Sequence, residues 1–190
     1  LQLQAGIRAD YREIDSKEMR VEDHHEDGEE EEKIINALKK SYNGLTFSSG
    51  AVYKMKKIKL RANISSGFRA PNTSELLSDG VHHGTNRYIK GSANLTNENA
   101  TQIDFSLDYQ DEHFSFSINP FYNVIQNYIF LSPTSTEIDS SPVFEYLQSN
   151  AFLYGGELGF HYHPHKIHWL HIESNLSSVF AEDRNGNSLP

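Results

Sequence analysis

Apolar and polar residues alternate with period two along most of the chain, the mark of strands that keep one apolar face. Seven segments carry the pattern. In the first, Leu1, Leu3, Ala5, Ile7, Ala9 and Tyr11 share a face against Gln2, Gln4, Gly6, Arg8 and Asp10. The second places Leu45, Phe47, Ala51, Tyr53 and Met55 on one side. The third sets Ile58, Leu60, Ala62 and Ile64 against Lys59, Arg61, Asn63 and Ser65. The fourth opposes Ile103, Phe105, Leu107 and Tyr109 to Asp104, Ser106 and Asp108. The fifth runs from Phe114 to Phe130, the sixth from Phe144 to Tyr162, and the seventh from Leu170 to Phe180.

The connections carry more information than the strands. Three are short, at Lys56-Lys57, at Gln110-Asp111-Glu112 and at His163-Pro164-His165. Three are long, over 13–41, 67–98 and 132–143, and short alternates with long throughout. An up-and-down barrel in an outer membrane sorts its connections this way, with short turns at one end and long loops at the other. The strands reach or exceed the roughly 9–11 residues that a tilted membrane strand needs. The polar face, carrying Arg8, Asp10, Lys59, Arg61, Asp104, Asp108, Glu157 and His161, then lines the lumen. Tyr53, Tyr109 and Tyr162 fall beside the short turns, and Tyr128 and Phe130 beside a long loop, as two interfacial girdles require.

The pattern therefore predicts an all-β fold: an antiparallel up-and-down transmembrane β-barrel segment of about seven strands. Seven strands do not close a barrel of even strand count, and open edges in lipid leave backbone groups unpaired. The 190 residues are accordingly expected to be a fragment of a larger β-barrel domain, with the remaining strands outside it. Two rival classes fit the alternation less fully. One is a soluble antiparallel β-domain, packed sheet on sheet, that binds a metal or a partner. The other is a porin-like barrel without a plug.

Composition narrows the function. The formal charge is −9, but residues 22–32, "EDHHEDGEEEE", hold eight acids, and without them the rest of the chain stands at −1. No basic stripe suits a nucleic acid. There is no cysteine, so neither a disulfide nor a thiolate metal site exists. No apolar run approaches the length of a membrane helix. No nucleophile elbow, His-Glu-x-x-His pair or phosphate-binding glycine loop appears, so no enzyme is expected.

The stretch "GFRAPNTSELLSDGVHHGT" at 67–85 is far too long for a hairpin turn. Pro71 pushes Ala70 away from helical angles, which ends the strand there. Phe68 is expected to finish the outward apolar row, and Arg69 to anchor the loop to carboxylates or carbonyls. "LRANISSGFRAPNTSELLSDGVHHGTNRY", followed by "ANLTNENATQIDFSLDY", resembles the C-terminal half of the barrel in TonB-dependent outer-membrane receptors. That resemblance covers nearly the whole chain. It implies a barrel of about 22 strands with an N-terminal plug outside these residues. It also implies import of a scarce ligand with energy delivered through TonB, in the bacterial outer membrane.

Within that family the chain resembles the haem-receptor subgroup. There a Phe-Arg-Ala-Pro box and an Asn-Pro-Asn-Leu box flank a haem-ligating histidine. Phe68 to Pro71 match the first box in full; Asn94 and Leu95 match the second, where Ser92 and Ala93 depart from it. His82 or His83 falls in the ligand position, so His82, His83, Arg69 and Asn94 are the ligand-binding candidates. Two further histidine groups suit a cation such as zinc, since imidazole and carboxylate are fitting donors. His24 and His25 sit in the acidic run, and His161 and His171 are expected as cross-strand neighbours facing the pore. The implied cargo is haem, a ferric siderophore or zinc, with no permanently bound cofactor. The implied partners are outer-membrane lipid, the plug, TonB and the metal-bearing ligand.

Overall fold

The computed structural model describes residues 1–24, 30–82, 84–164, 166–167 and 169–189, and of 21–24 and 30–33 the backbone. Seven long strands build one antiparallel run: β1 (Gln2–Ser16), β4 (Leu38–Met55), β5 (Ile58–Arg69), β8 (Glu98–Gln110), β9 (Phe114–Ile138), β10 (Ser141–Tyr162) and β11 (Ile172–Asp183). They pair in chain order. Between them lie a hairpin of β2 (Met19–His24) and β3 (Glu30–Ile35), a short helix α1 (Thr73–Leu77), and a hairpin of β6 (Asp79–His82) and β7 (Arg87–Lys90). Each long strand coincides with one of the seven alternating segments.

The register lines up the alternation across the whole sheet. Tyr53, Leu60, Leu107, Ile118, Leu158 and Leu176 are successive Cα partners, an apolar ladder through six strands. One residue along, Lys54, Lys59, Asp108, Ser117, Gly159 and Asn175 form the matching polar row. The apolar face stays open: Leu3, Ile7, Leu45 and Leu176 are each at least 65% exposed. Two aromatic bands border it. Tyr109 and Phe114 lie 6.1 Å apart near the short turns, where Tyr162 is the Cα partner of Phe114. Tyr122, Tyr154 and Phe180 stack in a row at 6.3 and 5.5 Å. Phe114 and Tyr122 are eight residues apart on one strand, about 26 Å at a rise near 3.3 Å per residue.

Three connections and one strand differ from the alternating pattern's expectation. The 13–41 connection is mostly strand: β1 and β4 stay paired up to Ser16 and Leu38, and β2–β3 continues beyond them. The 132–143 connection is a tight turn at Asp139 and Ser140, both at positive φ (49° and 59°). The His163 turn is instead a connection over 163–171, and β11 begins at Ile172 rather than Leu170. The even-numbered apolar row of β9 is interrupted after Val124. A register shift sets Gln126 and Asn127 against Asn150, with Asn127 at φ 56° and its N–H on the Asn150 Oδ1 at 3.2 Å. This β-bulge brings odd-numbered Ile129 into the buried cluster. Tyr128 and Phe130 stack on each other beyond it, so the upper aromatic band is Tyr122, Tyr154 and Phe180.

The buried core sits at the long-loop end. Ile14, Tyr42, Ala70, Leu76, Leu95 and Ile129 form it, and Leu38, Phe68, Leu77 and Tyr146 pack against it. Phe68 thus joins this cluster instead of finishing the outward row. The β4–β5 ladder stops at Ser48 and Ser65, which frees Phe68 to lean over Gly44.

Candidate functional site

The segment 70–97 is strapped to the sheet through one arginine. Asn72 caps α1: its side chain accepts the Glu75 N–H at 2.8 Å, and the Glu75 carboxylate accepts the Asn72 N–H at 2.8 Å. This reciprocal capping box satisfies two donors that a helix start leaves free. It also places the Glu75 carboxylate beside Arg69, which donates to both its oxygens at 2.9 and 3.0 Å. The other edge of the guanidinium forks onto Glu98, the Cα partner of Arg69 on β8, at 2.6 and 2.7 Å. Glu98 Oε1 also accepts the Ile129 N–H at 2.6 Å, tying in β9. Both carboxylates are buried, and their hydrogen bonds raise the Arg69 pKa still further above its ordinary value, that to Glu98 most. The guanidinium therefore stays charged at every pH the protein meets.

The rest of the segment is held by backbone carbonyls. Tyr42 and Lys40 donate to the Leu95 carbonyl at 3.3 and 3.4 Å, and Lys40 also reaches that of Ala93. Gln148 clasps Thr96, accepting its N–H at 2.9 Å and donating to its carbonyl at 2.8 Å. The end of α1 is closed by Ser92, whose N–H reaches the Glu75 carbonyl at 2.9 Å, and by Gly91, whose N–H reaches that of Ser78. A Cβ on Gly91 would lie 2.7 Å from the backbone of Leu76, Leu77 and Ser78. Gly91→Ala is expected to cost about 1–3 kcal/mol of local stability. Faster proteolytic cleavage within 72–97 checks this, and unchanged cleavage contradicts it.

The candidates distribute as follows. Arg69 is the hub of the strap. Asn94 lies exposed in the turn before the buried Leu95. His82 ends β6, exposed, with its carbonyl accepting the Thr85 N–H at 3.0 Å and its Nδ1 3.4 Å from the Thr85 hydroxyl. Its hairpin is pinned because β7 pairs in parallel with Val143–Glu145 of β10, Arg87 covers the Phe144 ring at 4.5 Å, and buried Tyr88 donates to Asp79 at 2.9 Å. His83 and His25 lie outside the described residues, and His24 closes β2 opposite Glu30.

At the other end of the strands the His161 and His171 rings lie 5.9 Å apart, and His171 stacks on His163 at 4.3 Å. Among the described residues no three His, Asp or Glu side chains are placed to hold one metal ion. Glu75 and Glu98, the two carboxylates that complete the strap, were not among the sequence candidates. The Asn-x-x-Glu spacing from Asn72 to Glu75 is the signal that marks the first.

A two-faced meander with long strands and a docked loop defines a barrel-wall protein, and the comparisons agree. The family model described as TonB dependent receptor-like, beta-barrel, matches residues 1–190, and the chain belongs to that family. Its members are receptors and transporters, not enzymes. No curated protein matches the chain. Among solved structures, the copper transporter OprC superposes with a TM-score of 0.76 at 18% identity, over 99% of this chain and 28% of its own. The siderophore receptor PirA from Pseudomonas aeruginosa gives 0.59 at 18%, over 93% and 32%. The Serratia marcescens hemophore receptor HasR, solved with its hemophore HasA and heme, gives 0.60 at 12%, over 95% and 31%. The chain thus spans about a third or less of these relatives' length, and at such identities the likeness shows the fold.

Proposed function

We propose that these residues form part of the wall of an outer-membrane receptor that imports a metal-bearing small ligand with energy supplied through TonB. The observation that carries this is the open apolar ladder from Tyr53 to Leu176, backed by a charged face and bordered by two aromatic bands. At a strand tilt near 40°, the 26 Å between the bands corresponds to about 20 Å of membrane depth, close to the apolar band of an outer-membrane barrel. β9 has 25 residues, about 80 Å, so most of it stands clear of the bilayer. A soluble sandwich would need a second sheet over this face, and the described residues supply only β2–β3 besides.

In this reading the free edges of β1 and β11 pair with further strands of the same barrel domain, and a plug fills the lumen. A porin-like barrel would lack that plug. The relatives' names favour a copper, siderophore-iron or haem cargo; zinc rests on the histidines of this chain alone. Ligand capture falls to the loops over 67–98 and 13–41, with His82, His83 and Asn94 as contacts and Arg69 holding the platform beneath them. His24 and His25 would gather cations outside, and His161 and His171 would meet the cargo on its way in.

Replacing His82 and His83 with Ala in the full-length receptor is expected to reduce uptake of its metal-bearing ligand at least about tenfold, the scale of a lost metal-site contact. Uptake of labelled haem, ferric siderophore and copper by whole cells measures it. Uptake unchanged for all three removes the pair from the site.

A further inference from the structure

We propose that the connection over 163–171 is a membrane anchor, in which Trp169 and Ile167 seat in the headgroup layer of the phospholipid leaflet at the short-turn end. The proposal rests on the reading that the apolar ladder faces lipid, and adds to it a lipid-binding element outside the strands. The other connections at this end are tight, at 56–57 and 111–113. This one folds back on itself, with the Ile167 N–H on the Pro164 carbonyl at 3.2 Å and the Leu170 N–H on the Ile167 carbonyl at 3.0 Å. Its large apolar side chains stay uncovered. Trp169, the only tryptophan of the chain, is 81% exposed, and Ile167 is 40% exposed.

The connection has a polar part and an apolar part. Its ends are clasped on the polar row by imidazoles: His171 lies 5.9 Å from His161 and stacks on His163 at 4.3 Å. The His163 N–H in turn reaches the His113 carbonyl at 2.9 Å, and those two rings are 6.2 Å apart. The apolar part continues the other face. Tyr162 and Ile172, the Cα partners that flank the connection, are both exposed, and Tyr162 is also the partner of exposed Phe114 in the lower aromatic band. Trp169 stands three residues beyond Ile172, at most about 10 Å along the chain. That is where the apolar band gives way to headgroups.

Chemistry and continuity together select the partner. An indole has an apolar body and one N–H donor, which suits a layer that is part hydrocarbon and part water. Ile167 adds a purely apolar contact beside it. Lys166, exposed in the same turn, matches the phosphate of a phospholipid, since lysine lays its stem on apolar surface and keeps its ammonium in the wet layer. A plug meets the polar row, which at this point is the imidazole stack and not the Ile167–Trp169 pair.

The test uses the full-length protein refolded into phosphatidylcholine vesicles. The fluorescence of wild type minus that of W169F isolates Trp169 from any other tryptophan. That signal should be lost in vesicles brominated high in the acyl chain, fall less when the bromine sits near the chain end, and resist iodide in the water. A nitroxide on I167C, with Trp169 in place, gives a second reading and should meet oxygen more than a water-soluble nickel chelate. Quenching by iodide with none by brominated lipid would put the turn in water, and shielding from both would put it against protein. Either result overturns the proposal, as does nickel-dominated contact at I167C. A label on L107C in the same vesicles keeps the two failures apart. Oxygen contact there with a wet Trp169 removes the anchor alone, whereas nickel contact at both removes the lipid-facing ladder beneath it.

Discussion

Leu107→Arg is expected to destabilise the membrane-embedded barrel by about 2–4 kcal/mol, the cost of a cationic side chain on the lipid face near the bilayer midplane. Leu107 is central in the ladder, between Leu60 and Ile118 along the row, and lies between the two aromatic bands. An arginine there cannot reach water by extending along the strand without crossing either band. The same change in a soluble sheet with a wet outer face would cost a few tenths of a kcal/mol, since Leu107 is only half-buried and arginine tolerates a wet surface. Gln102→Arg, on the polar face of the same strand beside Asp104, is the control and should leave insertion intact. Urea unfolding of the full-length protein in lipid vesicles, with the heat-shifted gel mobility of folded barrels, reads the difference. Equal stability of Leu107→Arg and wild type in vesicles would contradict a lipid-facing ladder.

Arg69→Met should release the docked loop, at a cost of about 3 kcal/mol. It leaves two buried carboxylates without their cation: the Glu75 and Glu98 side chains are 10% and 12% exposed. Breaking a buried ion pair from one side costs roughly 3–5 kcal/mol, and the 42% exposure of Arg69 itself places this case at the lower end. Arg69→Lys keeps the charge but loses the planar fork that serves two carboxylates at once, so it should fall between. Arg69→Met combined with Glu98→Gln should recover part of the loss, because a neutral amide is cheaper to bury. Hydrogen exchange of the amides over 72–78 and 91–97 measures the release; protection unchanged in Arg69→Met would mean that the core of Leu76 and Leu95 holds the loop alone.

The strands were legible because each keeps an apolar row over the stretch between the two aromatic bands. Where a strand leaves the apolar band, that signal fades. Thr134, Ser135 and Thr136 are polar on both faces, so the outer part of β9 reads as loop, and the turn at Asp139 and Ser140 reaches positive φ without a glycine. The β2–β3 hairpin is hidden in the same way, with Glu22 opposite Glu32 and Asp23 opposite Glu31 in a register that no propensity favours. At the site, Arg69 was legible as an anchor but its partner Glu98 was not. The two are 29 residues apart and meet only because β5 and β8 pair in one register. The bulge at Asn127 left no sequence mark beyond an asparagine that tolerates positive φ, yet it decides that Ile129, not Phe130, enters the core.

The central claim is that one face of this sheet meets lipid and the other a polar, hydrated lumen that the plug shares. The chain has no cysteine, so single cysteines can be placed along β8 and β5 in the full-length protein and spin-labelled in vesicles. Accessibility to oxygen, which partitions into lipid, is then compared with accessibility to a water-soluble nickel chelate. The account predicts a strict period of two: oxygen contact at Leu60, Ile103, Phe105 and Leu107, nickel contact at Lys59, Arg61, Asp104 and Asp108. Nickel contact on both faces, or no alternation along β8, would contradict it.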